Sequence, residues 1–149
     1  IALFPGSFDP VTLGHINIIE RGLSIFDRII IGLGNNAEKK YMFPLENRKS
    51  WIQEHFKGND HVEVRAYSGL TVEFAKEIGA DFILRGLRTS ADFEFERAIA
   101  HMNKTMNTEV ESVFILSDIS YSALSSSIVR DIHRNGGKID GYVPDSVRL

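Results

Sequence analysis

Apolar and polar positions follow two different periods along this chain. Five short runs rich in β-branched and aromatic residues are typical of buried strands, and they lie at residues 1–4, 29–33, 62–67, 81–84 and 112–116. Between and after these runs, apolar residues recur at steps of three and four, which predicts helices at residues 16–26, 45–56, 71–78, 91–107 and 125–135. Each predicted strand is therefore followed by a predicted helix.

This alternation predicts the fold class and the edge of the sheet where a ligand would bind. It indicates an α/β protein with a Rossmann-like, doubly wound, five-stranded parallel sheet, in a single domain over residues 1–149. Ligands of such sheets bind beyond the carboxyl ends of the strands, near the reversal of strand order. The conspicuous polar residues do follow predicted strands: Ser7, His15, Asn35, Asn36, Lys39, Lys40, Ser68, Thr71, Arg85, Arg88, Ser117, Asp118, Tyr121 and Ser125 to Ser127.

Composition narrows the possible partners. The chain has 149 residues, 43% hydrophobic and 25% charged, as expected of a globular protein with a full core. It has no cysteine, which excludes disulfides and thiolate metal sites, and its net charge of -3 argues against binding nucleic acid through a general basic surface. No apolar run approaches the roughly 18 residues of a membrane span, so we expect a cytoplasmic protein without a membrane partner. We expect Ile1 to lie inside a strand rather than at the encoded start, and Leu149 to lie inside a last helix.

The segment from Phe4 to His15 has the pattern of a strand, a tight turn and a helix start. A helix N-terminus offers unpaired N–H groups and the positive end of a dipole, so it suits phosphate. We expect Gly6 and Gly14 to let a ligand approach the backbone, and the His15 imidazole to face the bound anion. The alternative is an ordinary turn with a surface histidine.

Two arginines after the fourth predicted strand are further candidates. Arg85 and Arg88 flank Gly86 and Leu87, and guanidinium groups bind phosphate through two donors at once. A glycine between them would permit close backbone approach by a ligand. The alternative is a surface pair that bridges to Asp92 or Glu94.

Two more clusters of polar residues have a functional and a structural interpretation. Lys39 and Lys40 form a loop pair that either binds an anion or is simply solvated. Ser125, Ser126 and Ser127 stand at a predicted helix start, where three hydroxyls and free amides could bind phosphate. Serine is also a favoured cap, which would explain one of the three.

Other motifs are rejected. Residues 32–37 match the letters of a dinucleotide fingerprint, but they begin inside the second predicted strand and do not open a helix. Asp9, between Phe8 and Pro10, is expected to fix a turn rather than act as a base. Four histidines have no metal-ligand spacing and are expected to be surface or packing residues: His55, His61, His101 and His133.

Three motifs resemble one superfamily. The turn from Pro5 to Pro10, with Thr12-Leu13-Gly14-His15, is similar to the T/HxGH motif of the nucleotidyltransferases, and the form with Thr12 resembles the bacterial phosphopantetheine adenylyltransferases. Residues 81–88 resemble that family's second signature. Residues 124–130 resemble its ISSSxVR motif, with Leu124 in place of isoleucine. The resemblance covers nearly the whole chain.

The resemblance implies an activity and a role for individual residues. The family transfers the adenylyl group of ATP to 4′-phosphopantetheine, giving dephospho-coenzyme A and pyrophosphate. The implied catalytic residues are His15 as transition-state donor, Ser7 orienting the nucleophile, Lys39 and Arg88. Phosphopantetheine would be held by Ser7, Lys39, Thr71 and Arg85. The implied ATP-binding residues are Ser7, Phe8, His15, Gly86, Leu87, Arg88, Glu96, Tyr121, Ser122, Ala123, Leu124, Ser125, Ser126 and Ser127.

The resemblance also implies a cofactor and an assembly. Magnesium, as Mg²⁺, would arrive on the β,γ-phosphates of ATP without a cage of protein side chains, and family members are commonly homohexamers. The chain departs from many members at Ser7, where they have threonine, and at Tyr121, where some have tryptophan.

Two alternatives remain at this point. One is another nucleotidyltransferase, such as a cytidylyltransferase or a nicotinate-nucleotide adenylyltransferase, although these usually have histidine at position 12 and lack the residue 85–88 signature. The other is a non-catalytic nucleotide-binding module on the same fold. Lys39 and Arg85 argue against it, because a sensor needs no site for a second phosphorylated substrate.

Overall fold

The structure, a computed structural model, describes all 149 residues and contains the five predicted strands. They are β1 (Ala2–Gly6), β2 (Ile29–Gly34), β3 (Val62–Tyr67), β4 (Phe82–Leu87) and β5 (Glu111–Leu116). The prediction that β4 ends at residue 84 is wrong, because its pairing with β5 continues from Arg85 opposite Phe114 to Leu87 opposite Leu116. Arg85 and Gly86 therefore lie within the strand, and only Arg88 follows it.

All strand pairs are parallel, and the spatial order is β3-β2-β1-β4-β5. The chain runs outward from β1 to β3 on one side and then returns to β4 on the other side of β1. Strand order therefore reverses between β1 and β4, which is where a doubly wound sheet opens a crevice at its carboxyl edge. The predicted fold class is confirmed.

Five helices and one short 3₁₀ helix connect and follow the strands. They are α1 (Leu13–Gly22), α2 (Leu45–His55), α3 (Thr71–Glu77), α4 (Ser90–Met106), the 3₁₀ helix Ile119–Tyr121 and α5 (Ser126–Arg134). Helix α1 begins three residues earlier than predicted because Thr12 caps it. The predicted last helix is absent: residues after 137 form turns and extended segments, with Ile139 and Val143 packed on Val129 of α5.

The sheet is buried on both faces, and its central strands are the most apolar part of the chain. Ile29, Ile31 and Leu33 of β2 face one cluster with helix α1, whereas Leu3 and Ile30 face another with Phe74. Burial of such side chains contributes about 1.5–3 kcal/mol each. The core therefore holds β1 and β4 rigidly beneath the crevice.

Gly86 has a packing role that the sequence did not indicate. A Cβ at this position would lie 3.0 Å from the Cγ1 of Ile18, so the glycine lets helix α1 pack closely on β4. Gly86 also lines the crevice, and close approach of a ligand to its backbone stays a prediction.

Candidate active site

Two clefts open at the carboxyl edge of the sheet and meet at the reversal of strand order. The larger has a volume of about 760 Å³ and the smaller about 330 Å³. Six residues line both clefts: Pro5, Gly6, Ser7, Lys39, Arg85 and Glu96. Two ligands bound in the two clefts would thus meet over the ends of β1 and β4.

His15 lines only the smaller cleft and is held by the cap of helix α1. The N–H of Thr12 donates to His15 Nδ1 at 3.0 Å, the Thr12 Oγ1 lies 3.0 Å from the same nitrogen, and the His15 N–H donates to that Oγ1 at 3.4 Å. Because Nδ1 accepts a hydrogen bond from the backbone, the proton of the neutral ring is assigned to Nε2. His15 therefore presents a single N–H donor.

The environment of His15 keeps its ring neutral. Burial, and to a smaller extent the positive charges of Arg85 and Arg88, together lower the pKa of His15 from 6.5 to about 4. At neutral pH the free protein thus carries an uncharged imidazole beside two guanidinium groups. The alternative of a surface histidine is wrong.

The ring of Phe8 packs against the His15 imidazole. The backbone of Phe8 is left-handed (φ 46°), and its ring packs edge-on against His15 with centroids 5.1 Å apart. The ring also folds back over Gly6, where a Cβ would lie 2.9 Å from the Phe8 Cζ. A glycine at position 6 leaves room for this aromatic ring, and ligand approach to its backbone stays a prediction, since Gly6 lines both clefts.

Arg85 is paired with Glu96, not with the carboxylates that sequence reasoning considered. Its Nε donates to Glu96 Oε2 at 2.9 Å and its Nη2 to Glu96 Oε1 at 2.5 Å, while Nη1 donates to the Pro5 carbonyl at 2.6 Å. Glu96 is only 8% exposed. The pair fixes Arg85 at the junction of the clefts, with two of its five N–H donors still free.

Arg88 bridges to Asp92, as the structural alternative proposed, and nevertheless lines the smaller cleft. Its Nε lies 3.1 Å from Asp92 Oδ2, and its Nη1 donates to the Leu124 carbonyl at 3.2 Å. The bond to Arg88 and its charge hold the pKa of Asp92 below its usual value against the opposing effect of burial. These two partners therefore orient Arg88, and its side chain remains in the wall of the smaller cleft.

The two lysines of the loop pair, Lys39 and Lys40, differ in their position relative to the clefts. Lys39 Nζ donates to Ser7 Oγ at 2.9 Å and lines both clefts. Lys40 is exposed and makes no such contact. The solvated interpretation therefore fits Lys40, and Lys39 lies at the junction.

The serine cluster divides into a cap and a cleft wall. Ser125 caps α5 by accepting from the Ile128 N–H at 3.2 Å, and the Ser126 hydroxyl donates to the Pro10 carbonyl at 2.8 Å. Ser127 Oγ accepts from Arg130, whose other nitrogen donates to the Asp9 carbonyl at 2.7 Å. The three serines and Leu124 line the smaller cleft.

The larger cleft has a more apolar wall. The Tyr67 ring stacks on Phe74 with centroids 4.4 Å apart, and its hydroxyl lies 2.8 Å from Thr71 Oγ1. Burial raises the pKa of Tyr67. Thr71 does not cap α3, because Leu70 occupies the N-cap and the Thr71 hydroxyl contacts that of Tyr67. Thr71 lines this cleft.

Four predicted ATP-binding residues line neither of the two clefts. Leu87, the last residue of β4, is 6% exposed and belongs to the apolar interior. The other three follow β5 in and after the 3₁₀ helix and lie beside the cleft rather than in its wall: Tyr121, Ser122 and Ala123.

Sequence reasoning missed three residues that hold the site together. Arg130 lies within the third motif but was assigned no role, although it lines the smaller cleft. Tyr41 and the buried Arg48 were not considered at all. The available signal was spacing: Arg48 precedes Trp51 and Ile52 by three and four residues, so it had to share their buried face.

Carboxylates near the clefts are occupied by protein partners. Asp92 binds Arg88, Glu96 binds Arg85, and Asp9 accepts backbone N–H groups. No group of three or more histidine, cysteine or acidic side chains is arranged to hold a metal ion.

The other four histidines lie at the surface or against aromatic rings, as His133 does on Phe43. No helix has both the length and the apolar character to cross a bilayer.

Comparison with known proteins now adds to this geometry. The chain is 57% identical to a phosphopantetheine adenylyltransferase of Flavobacterium psychrophilum, with 99% of this chain and 97% of the relative aligned. It is 46% identical to the enzyme of that name from Cytophaga hutchinsonii, with 97% and 96% aligned. A crystal structure provisionally assigned as a nicotinate-nucleotide adenylyltransferase from Vibrio parahaemolyticus has the same fold, with a TM-score of 0.67, 22% identity and 98% and 94% coverage. The Cytidylyltransferase-like family model matches residues 3–132. The chain belongs to the phosphopantetheine adenylyltransferase family, within the cytidylyltransferase-like proteins.

Proposed function

We propose that this protein transfers the adenylyl group of ATP to 4′-phosphopantetheine, forming dephospho-coenzyme A and pyrophosphate. The observation that carries the proposal is the pair of clefts that share Ser7, Lys39 and Arg85, with the His15 donor in the smaller one. Two phosphorylated substrates bound in these clefts would bring their phosphates together at the carboxyl edge of the sheet. The names of the relatives support the choice of substrates.

ATP is assigned to the smaller cleft because two helix N-termini meet there. The N–H groups of Gly14 in α1 and of Ser126 and Ser127 in α5 have no protein partner. Free amides at helix starts bind phosphate, and the helix dipoles favour its negative charge. Arg88 and Arg130 supply the formal positive charge in the same cleft.

Phosphopantetheine is assigned to the larger cleft because its wall combines apolar side chains with cations at one end. A pantetheine arm would lie along Tyr67, Thr71 and the facing residues of α4, and its phosphate would reach Lys39 and the two free donors of Arg85. Such a cleft suits a long, weakly polar ligand whose single charged group lies at its end.

The attack then needs no general base, since the nucleophilic oxygen belongs to an ionised phosphate. The protein holds the two reactants in line, which is worth roughly 7–11 kcal/mol when the geometry is accurate. His15 donates its Nε2–H to the α-phosphate as negative charge builds there. Ser7 and Lys39 orient the attacking phosphate. No covalent intermediate is formed on the protein.

Mg²⁺ is proposed to enter with ATP. Mg²⁺ prefers phosphate oxygens and water to a cage made by protein, and the nearby carboxylates are already bound by arginines or amides. The ion would neutralise charge on the β,γ-phosphates, while the side chains described here orient the reacting groups.

We further propose a cytoplasmic homohexamer, as the resemblance to the family implies. Apolar side chains stand exposed along α4, among them Phe95 (67% exposed) and Met102 (61%), and such a face supports contact between subunits. Light scattering of the purified protein tests the assembly, and a mass of one or two subunits would overturn it. Fractionation of cells tests the location, and recovery outside the cytoplasmic fraction would overturn that part.

One assay tests the activity. Pyrophosphate release from ATP should require 4′-phosphopantetheine, and dephospho-coenzyme A should form in equal amount. CTP in place of ATP, or nicotinate mononucleotide in place of phosphopantetheine, should give little product. Equal or faster turnover with either replacement would show that the substrate assignment is wrong, and ATP binding without turnover would leave only a binding module.

A further inference from the structure

The bulkiest fully buried side chain of this protein is a cation. Arg48 is 1% exposed and lies on α2 beneath the turn that follows β1. Its Nε donates to the Phe43 carbonyl at 3.0 Å and its Nη1 to the Ser7 carbonyl at 2.6 Å. One guanidinium group therefore ties the turn after β1 to the segment before α2.

Asp9 makes the complementary connection from the other side. Its carboxylate is 3% exposed and accepts the Met42 N–H at 2.8 Å and the Phe43 N–H at 2.9 Å. Asp9 also attracts the Arg48 charge, which opposes the lowering of the arginine pKa by burial. The same two chain segments are thus fastened by a buried cation and a buried anion.

Tyr41 extends this connection to Lys39. Arg48 Cζ lies 4.0 Å from the centroid of the Tyr41 ring, and Lys39 Nζ lies 5.5 Å from the same centroid. The Tyr41 hydroxyl donates to the Gly34 carbonyl at 3.1 Å and accepts the Asn36 N–H at 2.9 Å. The loop that carries Lys39 is therefore pinned at its start by this ring.

The contacts close into a circuit. Arg48 holds the carbonyl of Ser7 and the ring of Tyr41, and Lys39 contacts the hydroxyl of Ser7 and lies near the same ring. A free lysine side chain loses rotamer entropy when a ligand fixes it, so holding it in place before substrate binds lowers the cost of binding. Fold stability alone does not account for a buried charge, since well-packed apolar replacements are often as stable.

We propose that Arg48 is a positioning residue that sets Ser7 and Lys39 at the junction of the two clefts, acting through the Ser7 carbonyl and the Tyr41 ring. This inference rests on the proposed function, because the junction matters only if two phosphorylated substrates meet there. Arg48 does not touch substrate. Its loss should impair phosphopantetheine use and turnover while leaving ATP binding unchanged.

A double-mutant cycle between Arg48 and Lys39 tests the proposal. Arg48→Met should lower kcat/KM for phosphopantetheine about 100-fold, the size expected when a reacting group is misplaced by about 1 Å. Lys39→Met should also lower it, and the double variant should be no worse than the more impaired single variant. Additive losses would overturn the proposal, because they would show that Arg48 does not act through Lys39.

A second route covers the outcome in which Arg48→Met does not fold, since it leaves Asp9 buried without its cation. Tyr41→Leu keeps Arg48 and Asp9 but removes the ring between Arg48 and Lys39, and it should show the same non-additivity with Lys39→Met. Additive losses in this cycle would equally overturn the proposal.

Two measurements separate this inference from the proposed function. Lys57→Met removes a cation that is 77% exposed just beyond α2, and it should change nothing. Calorimetric titration with ATP should give the same affinity in wild type and both Arg48 and Tyr41 variants, and a parallel loss of ATP affinity would overturn a role specific to the junction. A wild-type protein without turnover of phosphopantetheine would instead overturn the proposed function.

Discussion

The two clefts differ in how their charged groups are held. In the smaller cleft the key side chains have protein partners that fix them before a ligand arrives: Thr12 holds His15, Asp92 holds Arg88, and the Pro10 carbonyl holds Ser126. In the larger cleft, Lys39 comes from an exposed loop, and the only hydrogen bond of its side chain is to Ser7. The smaller cleft therefore holds more of the fixed charged groups, and the larger cleft supplies length and an apolar wall besides Lys39 and Arg85.

The position of the helix N-termini agrees with this difference. The longer helices α1 and α5 begin at the smaller cleft, whereas only the short helix α3 begins at the larger one. Helices α1 and α5 have fixed backbone amides that cost no reorganisation when charge develops. The larger cleft is bordered by the start of the seven-residue helix α3, with its threonine hydroxyl held by Tyr67. Charge stabilisation should thus respond most to changes in the smaller cleft.

The largest effect is expected for His15→Ala. Removing a donor aimed at the transition state should lower kcat about 10²–10³-fold while ATP affinity changes little, because the helix amides and arginines remain. Steady-state kinetics and ATP titration measure the two quantities. His101→Ala, which removes an exposed histidine of α4, is the matched control. Similar losses in kcat and in ATP affinity would contradict the transition-state role.

A smaller effect, confined to the other cleft, is expected for Lys39→Ala. Loss of one charge-assisted hydrogen bond should raise KM for phosphopantetheine about 10–100-fold and leave ATP affinity unchanged. Lys40→Ala is the matched control, because the neighbouring lysine is exposed and makes no contact in the cleft. An unchanged KM in the Lys39 variant would remove this lysine from the site.

Much of this arrangement could be predicted from the sequence because it depends on local patterns. The period of apolar residues predicted five strands and five helices, and serine as a favoured cap indicated the start of the last helix at Ser125. Parallel topology then placed the residues after β1 and β4 at one edge. This placement alone predicts that one edge of the sheet carries His15, Lys39, Arg85 and the serines.

What could not be predicted depends on contacts between distant segments. Glu96 of α4 pairs with Arg85 of β4, and Arg48 donates to the carbonyl of Ser7, 41 positions away in the chain. The close packing of Ile18 of α1 on Gly86 also joins distant segments, and a local pattern does not reveal it. Tyr121 lies in the 3₁₀ helix after β5 and outside the cleft wall, and the sequence did not indicate this short helix.

The pKa of His15 allows a test of the smaller cleft that does not depend on enzyme activity. Because the folded state lowers this pKa from 6.5 to about 4, the unfolded state binds the proton more tightly. The stability that neutral His15 contributes is fully present above pH 6.5 and is lost as the pH falls from there towards about 4. Between about pH 7 and pH 5 the loss should amount to about 1–2 kcal/mol relative to His15→Asn.

Two measurements follow. Urea unfolding of wild type and His15→Asn at several pH values should converge in stability as the pH falls, and ring-proton NMR should show His15 titrating about two units below an exposed histidine. Parallel pH profiles, or a His15 midpoint near 6.5, would mean that the smaller cleft is wetter than its geometry indicates.

The smallest effect separates capping from ligand binding within the serine cluster. Ser125→Ala removes the side-chain acceptor of the Ile128 N–H and should cost about 1 kcal/mol of stability, measured by urea unfolding, with ATP affinity nearly unchanged. Ser127→Ala should do the reverse: its hydroxyl caps nothing but accepts from Arg130 and lines the smaller cleft, so ATP affinity should fall while stability changes little. A Ser125 variant that loses ATP affinity without losing stability would show that all three serines belong to the ligand, and the division between a structural and a binding hydroxyl would fail.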